Sequence, residues 1–135
     1  MSNLPIFDVA GSAMTAQSVR LSTVASNLAN SDSVAGSPDA VYKAKQPVFA
    51  AVEVAGKPEL SGVQVTSVQE STAAPLKRYE PNHPLADAQG YVYAPDVDPV
   101  AQMVDMISAS RSYQADVEVL NTAKELAVAT LGLGK

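Results

Sequence analysis

The chain has 135 residues, enough for one modest domain and too few for two. Its net charge of −5 excludes a nucleic-acid binder, because nothing here could neutralise a run of phosphates. With no cysteine it has neither disulfides nor thiolate chemistry, and no run approaches the ~20 apolar residues of a membrane span.

The amino terminus, MSNLPIFDVAGSAM, lacks the basic start and long apolar core of a secretory signal. Residues 4–30 are expected to form a helix. Phe7, Met14, Leu21 and Leu28 fall seven apart, with Ala10, Gln17 and Val24 between them, which makes a heptad seam. Gln17 is its one polar intruder. The expected outer face, Ser12, Thr15, Ser22 and Ser26, is neutral, and Arg20 is the only full charge after Asp8. Asn30-Ser31-Asp32 ends the helix, and SVAGSPDAVY reads as a loop.

Eight of the nine prolines lie between residues 31 and 99, so the middle differs sharply from its flanks. Val48, Ala50, Val52 and Val54 alternate, as do Val63 and Val65, and with Tyr91-Val92-Tyr93 they suggest short strands. Pro47 and Pro58 are expected at strand edges or ends. Pro75, Pro81, Pro84 and Pro95 leave little room for a long regular element.

Asp98–Leu131 is the longest regular stretch. Met103, Met106, Tyr113, Val117, Leu120, Ala123, Ala127 and Leu131 recur at three- and four-residue steps, one stripe along a helix of roughly 50 Å. Asp98 is placed to cap it, Pro99 suits its first turn, and Gly132 is expected to stop it. Neither long helix has an acid–base pair at i+3 or i+4, so neither gains much alone. Two readings stay open: a helical hairpin packed on the middle of its own chain, or helices completed by neighbouring subunits.

No catalytic constellation emerges. His83, the only histidine, sits in PNHP and reads as a turn residue, since zinc needs three or four ligands. Asp87, Asp96 and Asp98 lack the alternation and closing glutamate of a calcium loop. There is no nucleophile elbow and no phosphate-cradling glycine loop. The expectation is a protein that is not an enzyme and uses no cofactor and no metal.

Three stretches carry a recognisable pattern: SVRLSTVASNLANSDS at 18–33, RYEPNHPLADAQGYVYAPDVDPV at 78–100 and MISASRSYQADVEVLNTAKEL at 106–126. Together they resemble the bacterial flagellar basal-body rod proteins, and the short middle looks like that of a proximal-rod subunit. The resemblance implies a mainly α fold. Long amino- and carboxy-terminal helices would pair as an antiparallel-type coiled coil, a helical hairpin, with a small, extended β-rich insert between them. Residues 1–32 and 98–135 would be its two arms and 33–97 the insert.

The resemblance also implies a structural building block of the rod that transmits motor torque. It would be exported by the flagellar type III apparatus without a cleaved signal and assembled in the periplasm. Partners would be copies of itself, other rod proteins and the export apparatus, with no nucleic acid and no direct membrane span. Phe7, Met14, Leu21, Val24 and Leu28 would form half of the seam, and Tyr113, Val117, Leu120, Ala123 and Ala127 the other half. Asn27, Asn30 and Asn121 match the family motifs as subunit contacts. The alternative from a different class is a cytoplasmic helical-hairpin adaptor that binds one partner helix in a groove.

Overall fold

The computed structural model describes residues 5–54 and 56–134. Its elements run helix, two antiparallel strand pairs, helix: α1 (Pro5–Ala29), a 3-10 turn (Pro38–Ala40), β1 (Lys45–Val54), β2 (Lys57–Glu70), β3 (Leu76–Tyr79), β4 (Tyr91–Ala94) and α2 (Pro99–Leu133). Two terminal helices therefore flank a small antiparallel β insert, as expected. Residue 4, where the first helix was expected to begin, lies outside the described residues.

α2 starts as its chemistry dictates. Asp98 has extended backbone angles and its Oδ1 accepts from the Val100 amide at 2.9 Å, while Pro99 occupies the first turn, where it has no bond to lose. The expected stop at Gly132 does not occur. The helix runs through it to Leu133 and is capped by Gly134. A glycine so near an exposed end costs only about 1 kcal/mol in helix propensity, too little to end a helix already propagating.

The strand pairs are separate two-stranded ribbons, β1 with β2 and β3 with β4. Pro47 and Pro58 are the third residue of β1 and the second of β2, near strand starts in a ribbon whose strands are both edges, as expected. The register accommodates Pro58: Val54 pairs with Lys57 and Glu53 with Ser61, so residues 58–60 sit in an irregularity where proline's missing donor is not needed. β3 escaped prediction because its four residues, LKRY, carry no alternation and lie just after Pro75.

The helices lie alongside each other. Asn27 Nδ2 donates to Gln102 Oε1 at 3.1 Å, Arg20 Nη2 meets Asp105 Oδ1 at 3.0 Å, and Ile6 shares a cleft with Ala115, Val119 and Leu126. Contacts thus descend α1 as they ascend α2. The deepest side chains on the helices are mostly small: Ala10, Ala16, Val24 and Ala109. At about 1.5 Å per residue, 35 residues of α2 outlast the 25 of α1 by about 15 Å.

α1 is also the platform for the β1–β2 ribbon. Near its end, Asn27 Oδ1 accepts from the Lys45 amide at 2.8 Å and Nδ2 donates to the Lys45 carbonyl at 2.9 Å. Nearer its start, Ser12 Oγ accepts from the Val63 amide at 3.1 Å. Ser12 and Ser26 were expected on an outer face with Thr15 and Ser22. Instead Ser12 meets the ribbon and Ser26 hydrogen-bonds Tyr42 at 2.9 Å, whereas Thr15 and Ser22 are exposed. A hydroxyl that can satisfy a backbone or phenol group is worth more against the chain than in water.

The β3–β4 ribbon has its own small core. Val92 and Ala94 are buried with Val41 and Pro95, and Ala35 and Tyr93 exchange backbone bonds of 2.8 and 2.9 Å.

Candidate assembly surface

Where apolar side chains remain in water decides what this fold can do. On α2, Val100, Met103, Val104 and Ile107 are 68%, 50%, 61% and 57% exposed. Their spacing of i, i+3, i+4 and i+7 makes one stripe over two helical turns. Further along the helix Val119, Leu126, Val128, Leu131 and Leu133 are also exposed. The β1–β2 ribbon adds Phe49, Val52 and Val68. Single exposed apolar residues are ordinary, but a continuous stripe marks a surface that something covers.

The residues expected to form a seam are mostly less exposed than the rest of their helices. Phe7, Met14, Leu21 and Leu28 of α1 are half-buried and Val24 is buried; Tyr113, Val117, Leu120, Ala123 and Ala127 of α2 are half-buried. The ends of the α2 stripe, Met103 and Leu131, are exposed. The intruder Gln17 leaves its Oε1 buried with no hydrogen-bond partner. Val100, Val104 and Ile107 were missed as surface candidates. Their signal was present as a second apolar stripe, offset from the first and read only as far as Met103.

The three asparagines differ. Asn121 is exposed. Asn30 is half-buried and donates to the Ser26 carbonyl at 2.8 Å, closing the end of α1. Asn27 is 3% exposed, and besides Lys45 and Gln102 it accepts from Tyr42 Oη at 2.9 Å.

The turn between β3 and β4 is held by Asp87. Its Oδ1 accepts from the Gln89 and Tyr91 amides at 2.9 Å each, and its Oδ2 accepts from Tyr93 Oη at 3.1 Å. The Tyr91 amide chiefly, with Gln89, Tyr93 and Lys77, holds this carboxyl below its ordinary range against an opposing desolvation. Burial, and the bond to Asp87, push the Tyr93 hydroxyl up. Gly90 is required here: its φ is +83°, and a Cβ would lie 2.9 Å from the Tyr79 ring. Tyr79 and Tyr91 meet edge to face at 5.1 Å, and Lys77 Nζ sits 4.1 Å over the Tyr91 ring. His83 Nδ1 accepts from the Leu85 amide at 3.1 Å, a turn contact.

Among the described residues no group of three or more His, Cys, Asp or Glu side chains could hold a metal ion, and no helix is long and apolar enough to cross a membrane.

Comparison with known proteins agrees. Residues 7–36, most of α1 and the turn after it, match the family described as flagella basal body rod protein. Residues 88–133, covering β4 and α2, match the family described as flagellar basal body rod FlgEFG protein C-terminal. The flagellar basal-body rod proteins FlgC of Escherichia coli O6:H1 and Salmonella typhimurium are each 56% identical to this chain over 135 residues, 100% of both chains. That of Aquifex aeolicus is 42% identical over 121 residues, 88% of this chain and 87% of its own. The chain belongs to the FlgC family of flagellar basal-body rod proteins.

Proposed function

We propose that this chain is a non-catalytic structural subunit of the proximal rod of the flagellar basal body, built into a helical assembly with copies of itself and other rod proteins. The observation that carries this reading is the apolar stripe of Val100, Met103, Val104 and Ile107, left uncovered on a helix inside the region that matches rod proteins. An open, head-to-tail contact between such surfaces propagates as a helix of subunits rather than closing as a dimer.

In this reading α1 and α2 pair as an antiparallel coiled coil. Residues 1–32 and 98–135 are its arms, and residues 33–97 face neighbours along the rod. Phe7, Met14, Leu21, Val24, Leu28, Tyr113, Val117, Leu120 and Ala127 form the seam, and Asn30 and Asn121 stand at subunit contacts. The heptad spacing and the half-burial of the larger seam residues support it. Export by the flagellar type III apparatus into the periplasm belongs to the same proposal. It is tested by deleting the gene in its own organism: swimming and the basal-body rod seen by electron microscopy are lost and return with the wild-type gene. A deletion strain that swims normally refutes it.

A further inference from the structure

The hydrogen bonds of Asn27 use everything its side chain has. The two N–H groups go to the Lys45 carbonyl (2.9 Å) and Gln102 Oε1 (3.1 Å), and the carbonyl oxygen accepts from the Lys45 amide (2.8 Å) and Tyr42 Oη (2.9 Å). Two of the four form a reciprocal pair with the backbone of a single residue. That is the arrangement by which one peptide unit pairs with another in a sheet. From one buried point, α1 is thereby joined to the loop before the ribbon, to β1 and to α2.

We infer that Asn27 is a positioning residue for assembly: its amide stands in for a peptide unit beside Lys45 and holds the β1–β2 ribbon at one fixed setting on the helix pair. The inference rests on the rod function proposed above. The setting matters because the ribbon carries exposed Phe49, Val52 and Val68, whose direction in an assembly depends on how the ribbon lies on α1. The Ser12–Val63 bond is a second attachment, fifteen residues away along α1 or about 22 Å. With one of the two released, the ribbon can swing about the other.

The chemistry is specific to asparagine. A serine has one donor and a single oxygen and cannot reach both groups of Lys45. A glutamine carries the amide one methylene too far. An ionised aspartate keeps the acceptors but presents a bare oxygen to the Lys45 carbonyl and to Gln102 Oε1. A protonated aspartic acid again offers one donor and one acceptor, so the reciprocal pair can re-form. Arg20, Lys45 and Asp105 line the same groove and are the charged groups such a carboxyl would meet.

The test uses the full-length chain. Asn27→Ala is expected to raise amide hydrogen exchange at Lys45 and along β1 by about tenfold or more, the scale set by losing a buried hydrogen bond. Exchange in the middle of α2 changes much less. Unchanged exchange at Lys45, or an equal rise throughout the chain, overturns the inference. Asn27→Asp provides a readout that a general packing defect does not move: relative to wild type it behaves like Asn27→Ala at pH 7 and recovers protection at Lys45 as pH falls and the carboxyl gains its proton. No recovery overturns the inference. In the deletion strain, wild type restores swimming and Asn27→Ala does not. If both restore it, the inference falls and the rod function stands. If the deletion strain swims without either, the rod function falls and with it the assembly role, while exchange at Lys45 still decides the tie.

Discussion

Ile107→Asp separates assembly from folding. Val100, Met103, Val104 and Ile107 retain half to two-thirds of their surface in water. Fully burying one such side chain contributes about 1.5–3 kcal/mol, so covering what remains of the four contributes roughly 4–7 kcal/mol before the costs of association. Ile107 accounts for about 1–2 kcal/mol of that. An aspartate in its place also puts an unpaired charge into the contact, which costs about 2 kcal/mol or more. The sum, about 4 kcal/mol, weakens subunit association roughly a thousandfold. In the isolated chain the residue is 57% exposed, and isoleucine and aspartate differ little in helix propensity, so losing the part already buried lowers stability by only about 1 kcal/mol. The assays are a thermal melt of the purified chain and complementation of the deletion strain. Normal swimming by the variant refutes the assignment of this stripe to assembly, and a melting midpoint lowered by much more than a few degrees refutes the separation of assembly from folding.

Three other substitutions probe less exposed positions of the helices and the second ribbon. Gln17→Met replaces a side chain whose Oε1 is buried without a partner, and is expected to stabilise the chain by about 1 kcal/mol, seen as a melting midpoint raised by a few degrees; a lowered midpoint contradicts this. Leu120→Asp, at a half-buried position of α2 in the proposed seam, is expected to abolish rod assembly and to lower the melting midpoint further than Ile107→Asp does. Asp87 has a carboxyl pKa lowered in the fold, so its contribution is complete above the ordinary aspartate value and is lost as pH falls through the folded one. The difference in stability between wild type and Asp87→Asn is therefore expected to be constant near pH 6 and to shrink below about pH 4. A difference that grows on acidification reverses the assigned direction.

Local chemistry was legible from the sequence, and long-range contact was not. The heptad spacing around Leu21 and Leu28 and the Asp98-Pro99 start each depend on residues a few positions apart, and the helices formed where those signals lay. The alternation of Val48 to Val54 located β1 for the same reason. β3 was invisible because its strand character comes from pairing with Tyr91–Ala94, not from its own four residues. The serines of α1 were assigned to an outer face because polarity alone cannot distinguish water from a backbone amide such as that of Val63. Family motifs drew attention to Asn27, yet only the fold shows that its amide faces Lys45 rather than solvent.

The way α1 crosses the first ribbon has a consequence for what this protein avoids. A two-stranded ribbon has two bare edges, each a template for strand addition and so for disordered aggregation. Asn27 occupies the backbone of Lys45 on β1, and Ser12 occupies the amide of Val63 on β2, so one helix blocks each strand at a different point along its length. A protein that must polymerise faces a particular hazard, since any sticky surface is offered repeatedly at high local concentration. With backbone hydrogen bonding on the ribbon partly consumed, what the ribbon and the helices still offer to a neighbour is mainly side chains. Side-chain contacts are shape-specific, whereas strand edges accept nearly any sequence.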